Sequence, residues 1–215
     1  MGRIVVMPSS SEMKVKTPEQ RKYIGKFFLH NASGCSALFD KPMEADEYVE
    51  AVKNKVKSLN IKNRAINKLG IDLEETKFIE PLNFSSFNFS GNYYSRDIFS
   101  SKYEVTWIFF SAEQVFAYRY IFDMTTDSHS EIAEEYFYKD IVSFTTTQNS
   151  YETIKTNISG GCLKNESSIK GNIELNKFVI KVPGDSFEAN ISDYNDIVEK
   201  SIRRVKALLR EKKNA

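Results

Sequence analysis

Lys102-Tyr103-Glu104-Val105-Thr106-Trp107-Ile108-Phe109-Phe110, followed by Val115-Phe116-Ala117-Tyr118-Arg119-Tyr120-Ile121-Phe122, is the stretch that decides the fold. In the first run Tyr103, Val105, Trp107 and Phe109 fall on one face. In the second, Phe116, Tyr118, Tyr120 and Phe122 share one face, with Val115, Ala117, Arg119 and Ile121 on the other. A period of two is the signature of a strand, because successive side chains leave the pleat in opposite directions. The short polar link Ser111-Ala112-Glu113-Gln114 then joins the runs as an antiparallel hairpin.

Downstream, the polar stretch Asp123–Ser130 reads as a loop. Glu134–Thr147 reads as one strand kinked at Lys139-Asp140. Shorter strands are expected in Ser168–Ile173, Asn176–Val182 and Ser186–Ile191, with Pro183-Gly184-Asp185 as the last turn. A closing helix starts at a Ser192 or Asp193 cap and ends near Arg210. Tyr194, Ile197, Val198, Ile202, Val205, Leu208 and Leu209 make its apolar stripe. Arg203, Arg204, Lys206 and Arg210 suit its negative end.

Upstream the pattern is helical. From an opening at Glu44 or Asp46, the residues Tyr48, Val49, Val52, Val56 and Leu59 recur at three- and four-residue steps. A second helix, Lys62–Leu69, carries Ala65, Ile66 and Leu69 and stops at Gly70. Each helix has one apolar stripe that must be covered, and the Phe116–Phe122 aromatic face, which could otherwise form a ligand-binding floor, is its natural partner. Residues 1–20 read as a polar tail, Tyr23–Phe39 supports no assignment, and Phe84, Phe87 and Phe89 stand among serines and asparagines before a loop over Gly91–Lys102. The expected class is α+β, with a largely helical accessory segment at 1–80 and a curved antiparallel β-barrel plus its capping helix at 81–215.

Sixteen Phe and eleven Tyr fit a sheet-rich core, and a net charge of +1 gives no global field that would draw the chain to nucleic acid. Two cysteines, Cys35 and Cys162, are too few for a disulfide framework. They read as free thiols in a reducing cytosol, with a single bridge left open as the alternative. The run Ile4-Val5-Val6-Met7 is too short for a signal-peptide core, so the expected location is cytoplasmic.

No established catalytic or cofactor fingerprint is present, and the reading leans away from an enzyme. Asp123, Asp127, His129 and Glu131 could hold a divalent cation, although their spacing fits no known loop and polar residues are ordinary there. His30 and Cys35 could form an activated pair, but nothing around them resembles a protease or redox signature. Lys53, Lys55, Lys57, Lys62, Arg64 and Lys68 run without an acid among them and could contact an acidic partner. A solvated helix face is the plainer account.

Glu135-Tyr136-Phe137-Tyr138-Lys139-Asp140-Ile141-Val142-Ser143-Phe144 resembles a strand of bacterial pleckstrin-homology-like (PH/GRAM-like) domains. Asn176-Lys177-Phe178-Val179-Ile180, the Pro183-Gly184-Asp185 turn, Phe187 and the helix from Asp193 are similar to that family's final hairpin and helix. The whole chain also looks like an uncharacterised bacterial family. The resemblance implies a seven-stranded antiparallel barrel capped by a helix, a fold that serves lipid binding, protein binding and scaffolding alike. Lipid-binding members carry a basic first hairpin loop, whereas Ser111-Ala112-Glu113-Gln114 has no Lys or Arg, which argues against a phosphoinositide. The expected function is a non-enzymatic interaction or scaffolding module that binds another protein or itself, with no cofactor and no nucleic acid. The alternatives are peripheral contact with an anionic membrane surface through the basic helices, and a metal-dependent enzyme with an unrecognised site.

Overall fold

The computed structural model describes residues 9–28, 41–76, 79–88, 99–159, 165–192 and 196–214. Among the described residues, seven strands form two antiparallel sheets: β1 (Leu82–Asn88), β2 (Lys102–Phe110), β3 (Gln114–Asp123) and β4 (His129–Phe137) in that spatial order, then β5 (Ser143–Ser159), β6 (Asn165–Val182) and β7 (Asp185–Ile191) in theirs. Five α-helices accompany them among the described residues: α1 (Ser10–Lys14), α2 (Pro18–Lys22), α3 (Ala45–Leu59), α4 (Ile61–Leu69) and α5 (Asp196–Asn214). The class is α+β. The two sheets do not close into the expected barrel.

The deciding hairpin stands as read, with Lys102 opposite Asp123 and Phe110 opposite Val115. Several expectations need correction. The expected tail holds α1 and α2, each opened by a reciprocal capping box, Ser9 with Glu12 and Thr17 with Gln20. A six-residue π-helical turn, Tyr23–Phe28, continues from α2. The Phe84–Phe89 stretch contains a strand, β1. The expected single strand Glu134–Thr147 is two strands in different sheets, separated by a 3-10 turn at Tyr138–Asp140. The kink is therefore a break where the chain changes sheet. The two strands expected within 168–182 are one continuous β6, and α5 runs on to Asn214. Of its two expected caps, Ser192 donates its hydroxyl to the Ser85 carbonyl; Asp193, Tyr194, His30, Cys35, Phe89 and Cys162 lie outside the described residues.

Two glycines end elements as their backbone requires. Gly70 stops α4 at φ 61, and Gly184 turns β6 into β7 at φ 83, both left-handed conformations that cost other residues free energy. Asn60, also left-handed, makes the one-residue corner between α3 and α4.

Each face of the four-stranded sheet has its own core. On one face Val105, Phe109, Phe116, Tyr118, Tyr120 and Phe122 pack beneath Ile24, Phe27, Tyr48, Val52, Ile61, Ala65 and Leu69. The aromatic face is thus covered by the helices, as their stripes required. Tyr48 is its centre: fully buried, stacked on Phe27 with ring centroids 4.1 Å apart, its hydroxyl donating to the Ser100 carbonyl at 3.0 Å. On the opposite face Phe84, Ile108, Phe110 and Val115 meet Phe144, Phe178, Ile180 and Phe187 of the second sheet, and Ile202, Val205 and Leu209 of α5 close that core. Ile197, placed in the α5 stripe by spacing, is 77% exposed instead.

The corner where β7 meets the first sheet is made by side chains. Along the free edge of β7, the Asn190 amide donates to the Glu104 carboxylate at 3.1 Å, Arg119 donates to the Glu188 carbonyl at 2.9 Å, and the Ser192 amide donates to the Ser85 carbonyl. Glu104 also accepts from the Asn190 and Asn88 side-chain amides, so this buried carboxylate collects three N–H donors. Burial of a charge is tolerated on that condition.

Truncating Tyr48→Ala is expected to destabilise the fold by about 3–5 kcal/mol. Tyr48→Phe, which loses only the bond to Ser100, should cost about 1 kcal/mol. Urea titrations followed by circular dichroism check both.

Candidate functional site

The basic run and the polar loop, two separate constellations in the sequence, meet in the structure. Asn60 turns the chain so that α4 crosses β3 and β4. There Arg64 donates to one oxygen of Glu131 at 2.6 Å and Lys68 to the other at 2.7 Å. Arg64 also lies over the Tyr120 ring at 5.1 Å, Lys62 lies over Trp107 at 5.2 Å, and His129 stacks against Tyr120. The three C-terminal cations of the run therefore bind helix to sheet. Lys53, Lys55 and Lys57 are exposed on α3 and take no part in this cluster.

The electrostatics follow from the geometry. Glu131 is largely buried, and the Lys68 ammonium, with Arg64 beside it, holds its carboxyl down at about 2. The same pairing raises Arg64. The buried Tyr118 hydroxyl sits next to this pair without a hydrogen bond of good geometry, and burial pushes it up to about 12.

The four candidate metal ligands are scattered among other partners. Asp123 is buried and accepts from Ser101 and from the Thr125 amide and hydroxyl. Asp127 accepts from the Gln20 side chain at 2.8 Å, His129 stacks on Tyr120, and Glu131 is held by α4. No group of three His, Cys, Asp or Glu residues placed to hold a metal occurs among the described residues.

Two surface features went unread in the sequence. A cleft of about 510 Å³ lies between the turn after α4 and the β2–β3 connection, lined by Glu74, Glu75, Ser111, Ala112, Glu113 and Gln114. Around the 3-10 turn, Phe137 and Val142 are 49% and 58% exposed, with Lys139 over the Phe137 ring. The first hairpin is now β1–β2, so Ser111–Gln114 belongs to the second hairpin. Residues 89–98 of the β1–β2 connection lie outside the described residues, and the sequence places only Arg96 and Asp97 as charges there.

No family model, curated protein or solved structure matches the chain. No helix among the described residues is long and apolar enough to cross a membrane.

The clasp has a defined acid response. Because the folded-state pKa of Glu131 is depressed, its contribution is present above the unfolded value near 4.5 and is lost as pH falls towards 2. Glu131→Gln should cost about 1–2 kcal/mol at neutral pH, a figure reduced for the half-exposed Arg64 and Lys68. Urea midpoints of the two proteins should converge between pH 5 and pH 2.

Proposed function

We propose that the chain is a non-enzymatic protein-interaction module on a pleckstrin-homology-like sandwich. Seven antiparallel strands in groups of four and three with a C-terminal helix on the second core are consistent with that family's layout. One observation carries the interaction reading. The outer edge of β4 pairs with no described strand, and it runs into the exposed Phe137 and Val142 at the change of sheet. An open strand edge offers backbone donors and acceptors to an added strand, and neighbouring apolar side chains give such pairing its specificity. Asp123, Asp127, His129 and Glu131, by contrast, are engaged within the fold.

The test compares the wild type with Phe137→Asp/Val142→Asp as immobilised baits, alongside light scattering of each protein in solution. The expected result is a defined partner, or a dimer, that the double variant loses while keeping its circular dichroism spectrum. Identical captured proteins and a monomer in both cases would overturn the proposal.

A second reading, contact with an anionic membrane surface, is favoured by α5, which exposes Lys200, Arg203, Arg204 and Arg210. Sedimentation with phosphatidylserine vesicles should then fall as salt is raised and fall again in Arg203→Glu/Arg204→Glu. Binding that neither salt nor charge reversal changes would remove this reading.

A further inference from the structure

Ser86, Thr106 and Arg119 bring three buried polar atoms, Ser86 Oγ, Thr106 Oγ1 and Arg119 Nε, into the space between the sheets without a hydrogen-bond partner. Their strands fix their common direction. Ser86 continues the inward row of Leu82 and Phe84, Thr106 that of Ile108 and Phe110, and Arg119 that of Val115 and Ala117. Thr106 stands directly opposite Arg119, and Ser86, which pairs with Glu104, is one step along the diagonal. Directly opposed residues have Cβ atoms about 4.5–5.5 Å apart and diagonal ones about 7–8 Å, which puts Thr106, on the middle strand, within one bridging molecule of each of the other two.

The facing segment of β7 is gripped at its two ends, Glu188 by Arg119 and Asn190 by Glu104, and the residue between them is Ala189, fully buried and small. Buried polar atoms without partners are uncommon in folded proteins, and a cluster of them is where an internal water sits when two to four partners converge. The donor set selects the ligand. Arg119 Nε can only donate, and the hydroxyls can do either. The Glu104 carboxylate beside Ser86 repels an anion, and the guanidinium repels a cation.

We infer that a water molecule is resident between the sheets, accepting from Arg119 Nε and bridging the hydroxyls of Thr106 and Ser86. It joins β1, β2 and β3 and, through the Arg119 bond to the Glu188 carbonyl, β7.

A high-resolution crystal structure of the unaltered chain tests the placement, and denaturant titrations test the energetics. The expected result is one water peak within hydrogen-bond distance of Thr106 Oγ1 and Arg119 Nε. Thr106→Val should raise the unfolding equilibrium constant about 3- to 10-fold, with Ser86→Ala adding little on that background because both act through the same molecule. No peak, or a Thr106→Val protein as stable as the wild type or more so, overturns the inference, since an unpartnered hydroxyl costs nothing to remove. Full additivity overturns the shared bridge, and density too large for one water reassigns the site to a small polar ligand.

Discussion

The free edge of β7 is the constraint on which the arrangement of the two sheets depends. An unpaired edge between two cores would leave backbone groups stranded away from water, and a neighbouring strand is the usual remedy. Here Glu104 and Arg119, projecting inward from the first sheet, take the place of that strand. Each supplies the polarity that a backbone group of β7 needs: a carboxylate for the Asn190 amide and a guanidinium for the Glu188 carbonyl. Inward-pointing charges also protect an edge from pairing with foreign strands. The sheets can therefore meet at a corner without forming a continuous barrel, and the apolar rows behind that corner are free to fill with Phe84, Phe178 and Phe187.

Much of this was legible, and the failures have physical causes. The β2–β3 hairpin was clear because both faces of both strands are occupied by residues of distinct size. The strand β1 was not, because its inward row ends on Ser86 while Phe87 faces the helices, so polarity and direction part company within seven residues. Helices α1 and α2 carried a readable signal, Ser9 with Glu12 and Thr17 with Gln20, but five residues are too few for a periodic stripe to confirm it. The seam at the corner was present in the deciding stretch itself, as Glu104 in one run and Arg119 in the other. Its meaning required knowing that β7 would arrive opposite them.

The candidate sites followed a similar logic. The basic run and the acidic loop each looked like half of a binding site for something else. Glu131 is separated from Arg64 and Lys68 by 67 and 63 residues, and no local spacing rule connects them. Once folded, half of the basic run is committed to holding α4 on the sheet, and the loop acids are divided among Ser101, Thr125, Gln20 and α4. What remains exposed is a different set: Lys53, Lys55 and Lys57 on α3, the Phe137–Val142 turn, and the outer edge of β4.

The contact between Ser192 and Ser85 joins residues 107 positions apart, whereas the α3–α4 corner and the β2–β3 hairpin are formed by near neighbours in the chain. Closing so long a loop carries an entropic penalty that is recovered only when the whole corner is in place. Local elements can thus assemble early, while β7 and the α5 helix that follows it must wait for the first sheet to present Glu104 and Arg119 together. A chain built this way folds at a pace set by its most distant pairings.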